Sequence, residues 1–275
     1  MLIFHSHCQM GNQMFIYACA EALSAKKAVP ACLSDTDGLV YFSKPNRNRW
    51  HHFIKYQYFR LYNKLKPNQY TFHHLQDNRI DYSEMMRKNP EKNTWYYGYF
   101  QGLSYFYGMD EEVRKWFGIR KKYQDRYTEV LENLSTKKRL VTVHLRRKDY
   151  KTFGPDFLKG PDLSLPFEYY HKILRGMDLK DCQLVFISDE MEEVKKEFAY
   201  INDAYFSSHE PIIDLQFLIH ADVCIIANST FGWWGAFLNE KKNKTIYVPA
   251  YFLGFKVQKE FPVNIIPTDW VRVAV

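Results

Sequence analysis

The sequence predicts a parallel α/β fold. Short β-branched apolar runs recur in the second half, segments of helical period separate them, and polar chemistry-bearing residues begin where the runs stop. Residues 139–145 (RLVTVHL) are the first such run, hence a strand. Residues 166–177 (PFEYYHKILRGM) set Phe167, Tyr170, Ile173, Leu174 and Met177 at helical spacing, with Pro166 suited to a first turn. Residues 183–187 (QLVFI) form a second strand, and Ser188 and Asp189 are placed to cap a helix over EMEEVKKEF. Residues 213–221 read as helix and 223–227 (VCIIA) as a buried strand. Asn228 and Ser229 then cap a third helix, TFGWWGAFLNE, and residues 245–249 (TIYVP) give a last strand. Strand and helix in this rhythm imply right-handed crossovers and a ligand site beyond the carboxyl ends of the strands. HLRRKDY, ISDE and ANSTFG all begin at such ends.

The first half is less regular. Residues 1–4 read as a strand, and residues 11–24 as a helix with Met14, Phe15, Ala18 and Leu23 on its apolar side. Residues 41–75 are basic and aromatic. Residues 110–135 have the period of an amphipathic helix broken near Gly118. The polar segment 134–138 (LSTKK) is the predicted linker, dividing the chain into domains 1–135 and 136–275.

With 46% apolar and 25% charged residues, 275 residues can bury a core. The net charge of +7 suits anionic partners: nucleic acid, acidic lipid or a phosphorylated small molecule. Five cysteines (Cys8, Cys19, Cys32, Cys182 and Cys224) show no Cys-x-x-Cys spacing, so reduced thiols are expected and no zinc site. The N-terminus lacks the charged start and long apolar run of a signal peptide. No segment offers roughly 18 uninterrupted apolar residues. A cytoplasmic protein is expected, attached at most to the surface of the inner membrane.

Three motifs bear chemistry. In His144-Leu145-Arg146-Arg147-Lys148-Asp149-Tyr150, two successive arginines follow a strand and must face opposite ways. One can face a cleft while the other pairs with a carboxylate or a second phosphate. An arginine fork suits a diphosphate, although a solvated loop with an Arg–Asp pair has the same sequence. In Asn228-Ser229-Thr230-Phe231-Gly232, helix-start amides and hydroxyls make an anion site, and plain N-capping is compatible with it. In Gly11-Asn12-Gln13, a tight turn and two amides follow the first strand. Helix capping by Asn12 explains them equally well. Trp233 and Trp234 are read as packing residues.

Together these motifs (GNQMFxYA, HxRRxDY and NSTFxWWGAxLN) resemble glycosyltransferase family 11, the α-1,2-fucosyltransferases. Lesser matches lie at Tyr99-Phe100-Gln101-Gly102, at Phe186 through Glu190 with Ser188 and Asp189, and at Asp214-Leu215. The resemblance runs from about residue 10 to 250. It implies a GT-B architecture, two Rossmann-like domains facing a central cleft. The N-terminal domain would lie on the acceptor side and the C-terminal one would bind the GDP-sugar. It implies GDP-β-L-fucose as donor, inversion, and no metal or other cofactor. By the resemblance Arg146 holds the donor's phosphates, and His144, Arg147 and Asp149 shape that pocket. Asn228, Ser229, Thr230 and Phe231 belong to the segment closing on the diphosphate, Ser188 and Asp189 to the donor pocket. Gly11, Asn12 and Gln13 line the cleft. Arg146 and Asp149 are the residues expected to carry the chemistry. Asp149 is a candidate base, or alternatively orients Arg147, and His5 and His7 are further candidate bases.

The chain departs from the family pattern in places. Cys8 and Gln9 replace two glycines, Lys148 stands where glycine is common, and Gly232 where serine is common. The expected partners are GDP-fucose and a galactose-containing glycan, with no nucleic acid. Alternatives are another fucosyl linkage, another sugar nucleotide, or a non-catalytic module binding nucleotide or glycan. Residues 41–75 fit a solvated face, a nucleic-acid surface or a peripheral membrane contact.

Overall fold

Two all-parallel sheets organise the chain in the computed structural model, which describes residues 1–66, 69–88, 93–134 and 139–275. Compactness divides it into one unit of Met1–Arg120 with Pro262–Ile265, and a second of Lys121–Phe261 with Ile266–Val275.

The first unit runs β1 (Leu2–His5), α1 (Met10–Lys27), β2 (Ala31–Leu33), α2 (Ser43–Leu65), β3 (Thr71–Leu75), α3 (Ser83–Lys88), β4 (Thr94–Gly98) and α4 (Asp110–Trp116). Its sheet has the order β2-β1-β4-β3, with Leu2 registered against both Ala31 and Thr94. Helix α1 is buried around most of its circumference: Met14, Phe15, Ile16, Tyr17, Ala18 and Ala20 are all sealed from solvent. It is a core helix, which is why its sequence shows only a weak polar face.

The second unit runs α5 (Lys121–Glu132), β5 (Arg139–Leu145), α6 (Phe167–Arg175), β6 (Cys182–Ser188), α7 (Met191–Glu197), β7 (Tyr205–Phe206), α8 (Pro211–Ile219), β8 (Val223–Ile225), α9 (Thr230–Leu238), β9 (Thr245–Pro249) and β10 (Val271–Val273). The sheet order is β10-β9-β8-β5-β6-β7. The chain builds outward from β5 through β6 to β7, then returns to lay β8, β9 and β10 on the other side. The order therefore reverses between β5 and β8, and a crevice opens at their carboxyl ends. Both faces of β5 are covered, so Val141, Val143 and Leu145 join Tyr169, Tyr170, Phe186 and Ile225 in one core. Thr142 is also sealed, and its hydroxyl donates to the Phe217 carbonyl at 2.9 Å.

Helix α9 is apolar all round. Trp233 and Trp234 are fully buried as packing residues. Gly235 lets α9 approach α8, since a Cβ there would stand 2.5 Å from the Leu218 Cβ.

The two units meet in sequence at Arg120, ahead of α5, rather than at the polar segment 134–138. Residues 135–138 of that segment lie outside the described residues. Helix α5 joins the second unit because the Tyr127 ring packs on Phe217 at 5.1 Å and the Tyr123 carbonyl accepts from Gln216 Nε2 at 2.9 Å. The break near Gly118 is present, with α4 ending at Trp116.

Candidate active site

The crevice between β5 and β8 collects ten of the residues singled out in the sequence. Strand β5 delivers His144 and leads into Arg146, Arg147 and Asp149, β6 ends at Ser188 and leads into Asp189, and β8 leads into Asn228 through Phe231. Alternation along the strand end sends the two arginines to different surroundings.

Arg147 turns inward and is only 8% exposed. Its Nε and Nη2 donate to Glu193 Oε2 and Oε1 at 2.8 and 3.0 Å, and Nη1 donates to the Leu165 carbonyl at 2.9 Å. The guanidinium lies 4.1 Å from the centre of the Phe167 ring. These bonds, with Lys151 on the same carboxylate, hold Glu193's pKa down at about 2. Arg147 is thus occupied in tying α6 and α7 to the end of β5.

Arg146 faces the crevice. Its Nη2 donates to Asp149 Oδ2 at 2.8 Å, and its Nε lies 3.2 Å from Asp189 Oδ2. The Asp189 carboxylate also accepts the Arg147 backbone N–H at 2.9 Å, so one aspartate fixes both the loop and the guanidinium. The carboxylate that pairs with Arg147 is Glu193, and Asp149 pairs with Arg146 instead. Of the two roles open to Asp149, orienting Arg147 is therefore not the one it takes. Spacing along the chain cannot choose among three nearby carboxylates, and the placement of α7 decides.

Two capping expectations also change. Ser188 and Asp189 do not cap α7, whose N-cap is Glu190, without a side-chain cap bond. The Ser188 hydroxyl accepts the Glu190 N–H at 3.1 Å in a tight turn, while Asp189 is drawn to the arginines. Ser229 alone caps α9, its hydroxyl accepting the Phe231 N–H at 3.4 Å. Asn228 is fully buried, and its Nδ2 donates to the Leu163 carbonyl at 3.0 Å. Among the described residues its Oδ1 has no hydrogen-bond partner. Thr230 and Phe231 are half-buried at the helix start. The start of α9 and the Arg146 guanidinium thus follow the ends of the neighbouring strands β8 and β5, groups suited to an anion, with Asp149 and Asp189 pairing the guanidinium.

Glu193 and Tyr150 were not singled out as site residues. Tyr150's hydroxyl donates to the Asn228 carbonyl at 3.2 Å, tying the loop after β5 to the loop after β8. Burial raises its pKa, so it remains a donor. Its place at the end of HLRRKDY was the only available signal. Glu193 could have been noticed as a carboxylate in the first turn of the helix after β6.

His144 is buried, with Nδ1 unpartnered among the described residues. Desolvation, then the Arg146 charge, lower its pKa to about 3. A Cβ at Gly232 would stand 2.6 Å from this Nδ1, so the glycine found where serine is common leaves room for the ring. The unfolded chain takes a proton near the ordinary value of 6.5, whereas the folded one does so only near 3. His144's contribution to stability is therefore complete above 6.5 and is lost as pH falls through this window. Urea unfolding at pH 7 and at pH 5 tests this. His144→Gln should lose about 2 kcal/mol less than the wild type between these conditions. An equal loss would mean that the imidazole protonates freely in the folded protein.

In the first unit, α1 starts at Met10 with Gln9 as N-cap, so Asn12 lies inside the helix and does not cap it. Asn12 Oδ1 accepts from Gln101 Nε2 at 2.9 Å, joining the first turn of α1 to the loop after β4. Gln13 donates to the Cys8 carbonyl at 3.1 Å and accepts the Gly38 N–H at 3.0 Å. Gly11 is buried at the helix start. Cys8 has φ of 66°, so it keeps the left-handed conformation that the family's glycine favours. Beyond the ends of β1 and β4, the His7 ring lies 5.5 Å from His5, 5.1 Å from Tyr97 and 4.8 Å from Tyr99. Burial, then His7, lower the pKa of His5.

The model of glycosyl transferase family 11 matches residues 8–272. The O-antigen biosynthesis glycosyltransferase WbnK of Escherichia coli is 26% identical over 289 residues, spanning 89% of this chain and 93% of WbnK. An alpha-1,2-colitosyltransferase of Escherichia coli is 28% identical over 208 residues, 70% of this chain and 67% of that one. Among solved structures, NodZ alpha-1,6-fucosyltransferase soaked with GDP-fucose, a Bradyrhizobium protein, superposes with a TM-score of 0.52 at 14% identity. The match covers 86% of this chain and 92% of NodZ. The architecture is GT-B-like, with parallel sheets in an α/β chain.

Proposed function

The chain belongs to glycosyl transferase family 11, and we propose that it transfers L-fucose from GDP-β-L-fucose, with inversion, to the 2-hydroxyl of a terminal galactoside on a glycan. The observation carrying this reading is Arg146, held by Asp149 and Asp189 at the β5–β8 crevice beside the start of α9. The NodZ structure of the same fold was soaked with GDP-fucose, which supports that donor.

The acceptor oxygen attacks the anomeric carbon and gives up its proton. The bond from that carbon to the phosphate oxygen breaks, and its electron pair leaves with GDP. The transition state is oxocarbenium-like, and negative charge grows on the departing phosphate. Arg146, the amides of Thr230 and Gly232 and the hydroxyls of Ser229 and Thr230 meet that charge. This set answers the charge without a metal. Asp149 acts as the orienter of Arg146. The hydroxyl proton passes to a general base, for which His5 and His7 are the candidates; burial, then His7, lowers the pKa of His5.

A second reading has a specific support: the alpha-1,2-colitosyltransferase relative favours transfer of a different deoxysugar by the same chemistry. Donor competition decides, with GDP-fucose, GDP-mannose, a colitosyl nucleotide and UDP-sugars offered with a panel of galactosides, followed by linkage analysis. The fucosyl reading expects turnover with GDP-fucose, an α-1,2 linkage and no loss of rate in EDTA. Preference for the colitosyl donor would replace it. Tight GDP binding without turnover on any donor would mark a non-catalytic module.

A further inference from the structure

Helix α2 is anchored by one face and bare on the other. Pro45, His52 and Phe59 are its buried residues, seven apart and so on one side of the helix. Phe59 packs with Ile3, Cys32 and Tyr70, and His52 Nδ1 accepts the Leu33 N–H at 3.4 Å. The opposite side should be polar in a helix that ends at water. It instead presents Trp50, Ile54, Tyr58, Leu61 and Leu65, which are 73%, 64%, 60%, 59% and 71% exposed. Their spacing of four, four, three and four residues makes one stripe. It runs over roughly 22 Å of helix.

Charge decides what fits this stripe. Residues 43–66 contain seven Lys and Arg and no Asp or Glu. The whole chain has 38 basic against 31 acidic residues, so the rest of the molecule is balanced at 31 against 31. The segment itself thus carries seven positive charges, of which Lys44 and Arg49 pair with Glu21 and Asp37. On the helical wheel Arg60 and Lys64 flank one side of the stripe and Lys55 the other, while Arg47 lies in line with it at its N-terminal end. A second copy packed here would set these cations against their own kind. Nucleic acid would meet the cations but leave Ile54, Leu61 and Leu65 without a partner. An anionic bilayer satisfies both, with apolar side chains entering the acyl boundary and arginines and lysines meeting the headgroups. Tryptophan and tyrosine favour that depth. No helix among the described residues is long and apolar enough to cross a membrane, so the contact lies along the surface.

We infer that the exposed face of α2 docks the protein on an anionic lipid surface. Flotation of the full chain with vesicles of phosphatidylglycerol and phosphatidylcholine in equal parts, against phosphatidylcholine alone, tests it. Binding is expected to the anionic vesicles only, weakening as salt is raised. Ile54→Glu/Leu61→Glu and Arg60→Glu/Lys64→Glu alter exposed side chains, and each should weaken binding at least about tenfold with an unchanged circular-dichroism spectrum. Failure to bind anionic vesicles would overturn the inference, as would binding that survives Ile54→Glu/Leu61→Glu. So would a wild-type dimer that this variant converts to monomer, which would make a second copy the occupant. Salt-sensitive RNA binding abolished by Arg60→Glu/Lys64→Glu, with vesicle binding unchanged, would assign the face to nucleic acid.

Discussion

Replacing Arg146 with alanine is expected to lower turnover roughly 100- to 1000-fold while leaving the protein folded. The side chain faces a crevice and is not part of a hydrophobic core. Its partners, Asp149 and Asp189, are both reached from outside the core, and Asp149 is about half exposed. Little packing is lost with it. What disappears is a delocalised cation poised where a diphosphate leaves, and that interaction strengthens as the bond breaks, so the loss should fall on kcat more than on KM. Arg146→Lys should recover only part of the activity, because an ammonium cannot keep both carboxylates and also present a flat fork to phosphate. Near-normal turnover of Arg146→Ala would remove this residue from the chemistry.

Arg147 should behave in the opposite sense. Arg147→Ala leaves the Leu165 carbonyl without its donor, uncovers the Phe167 ring and deprives Glu193 of a two-pronged partner. Breaking a fully buried pair costs roughly 3 to 5 kcal/mol. Here Glu193 is about one-third exposed and keeps Lys151, so about 2 to 3 kcal/mol is expected. For a chain of this size that lowers Tm by roughly 5 to 10 °C. Arg147→Met should recover part of it by restoring the contact with Phe167. Adjacent arginines thus separate into one that carries activity and one that carries stability, and thermal melts beside turnover assays read the two apart. A Tm equal to wild type in Arg147→Ala would show that the Glu193 pair contributes nothing net.

Much of the second sheet was readable because its strands are buried on both faces, and such strands are continuous apolar runs. RLVTVHL and TIYVP coincide with β5 and β9 residue for residue. Strand β7, two half-buried residues long, has no such signature. Helix α2 was hidden for a different reason. Its exposed face is as apolar as its buried one, so the polar–apolar period that marks a surface helix is absent. At the site, sequence could say that two adjacent arginines must diverge, but not which carboxylate each would meet. Asp149, Asp189 and Glu193 are equivalent on paper. They become distinct only when β6 and α7 bring Asp189 and Glu193 to β5 from more than 40 residues away. The division of the chain was obscured similarly: the polar segment 134–138 looks like a linker, but Tyr123 and Tyr127 bind α5 to the unit that follows it.

The claim that this crevice grips a nucleoside diphosphate through Arg146 is tested most directly by calorimetric titration of GDP into the wild type and into Arg146→Ala. Binding by the wild type is expected, with UDP much weaker, together with a loss of at least about tenfold in affinity for the folded variant. Equal GDP affinity in the two proteins would contradict it.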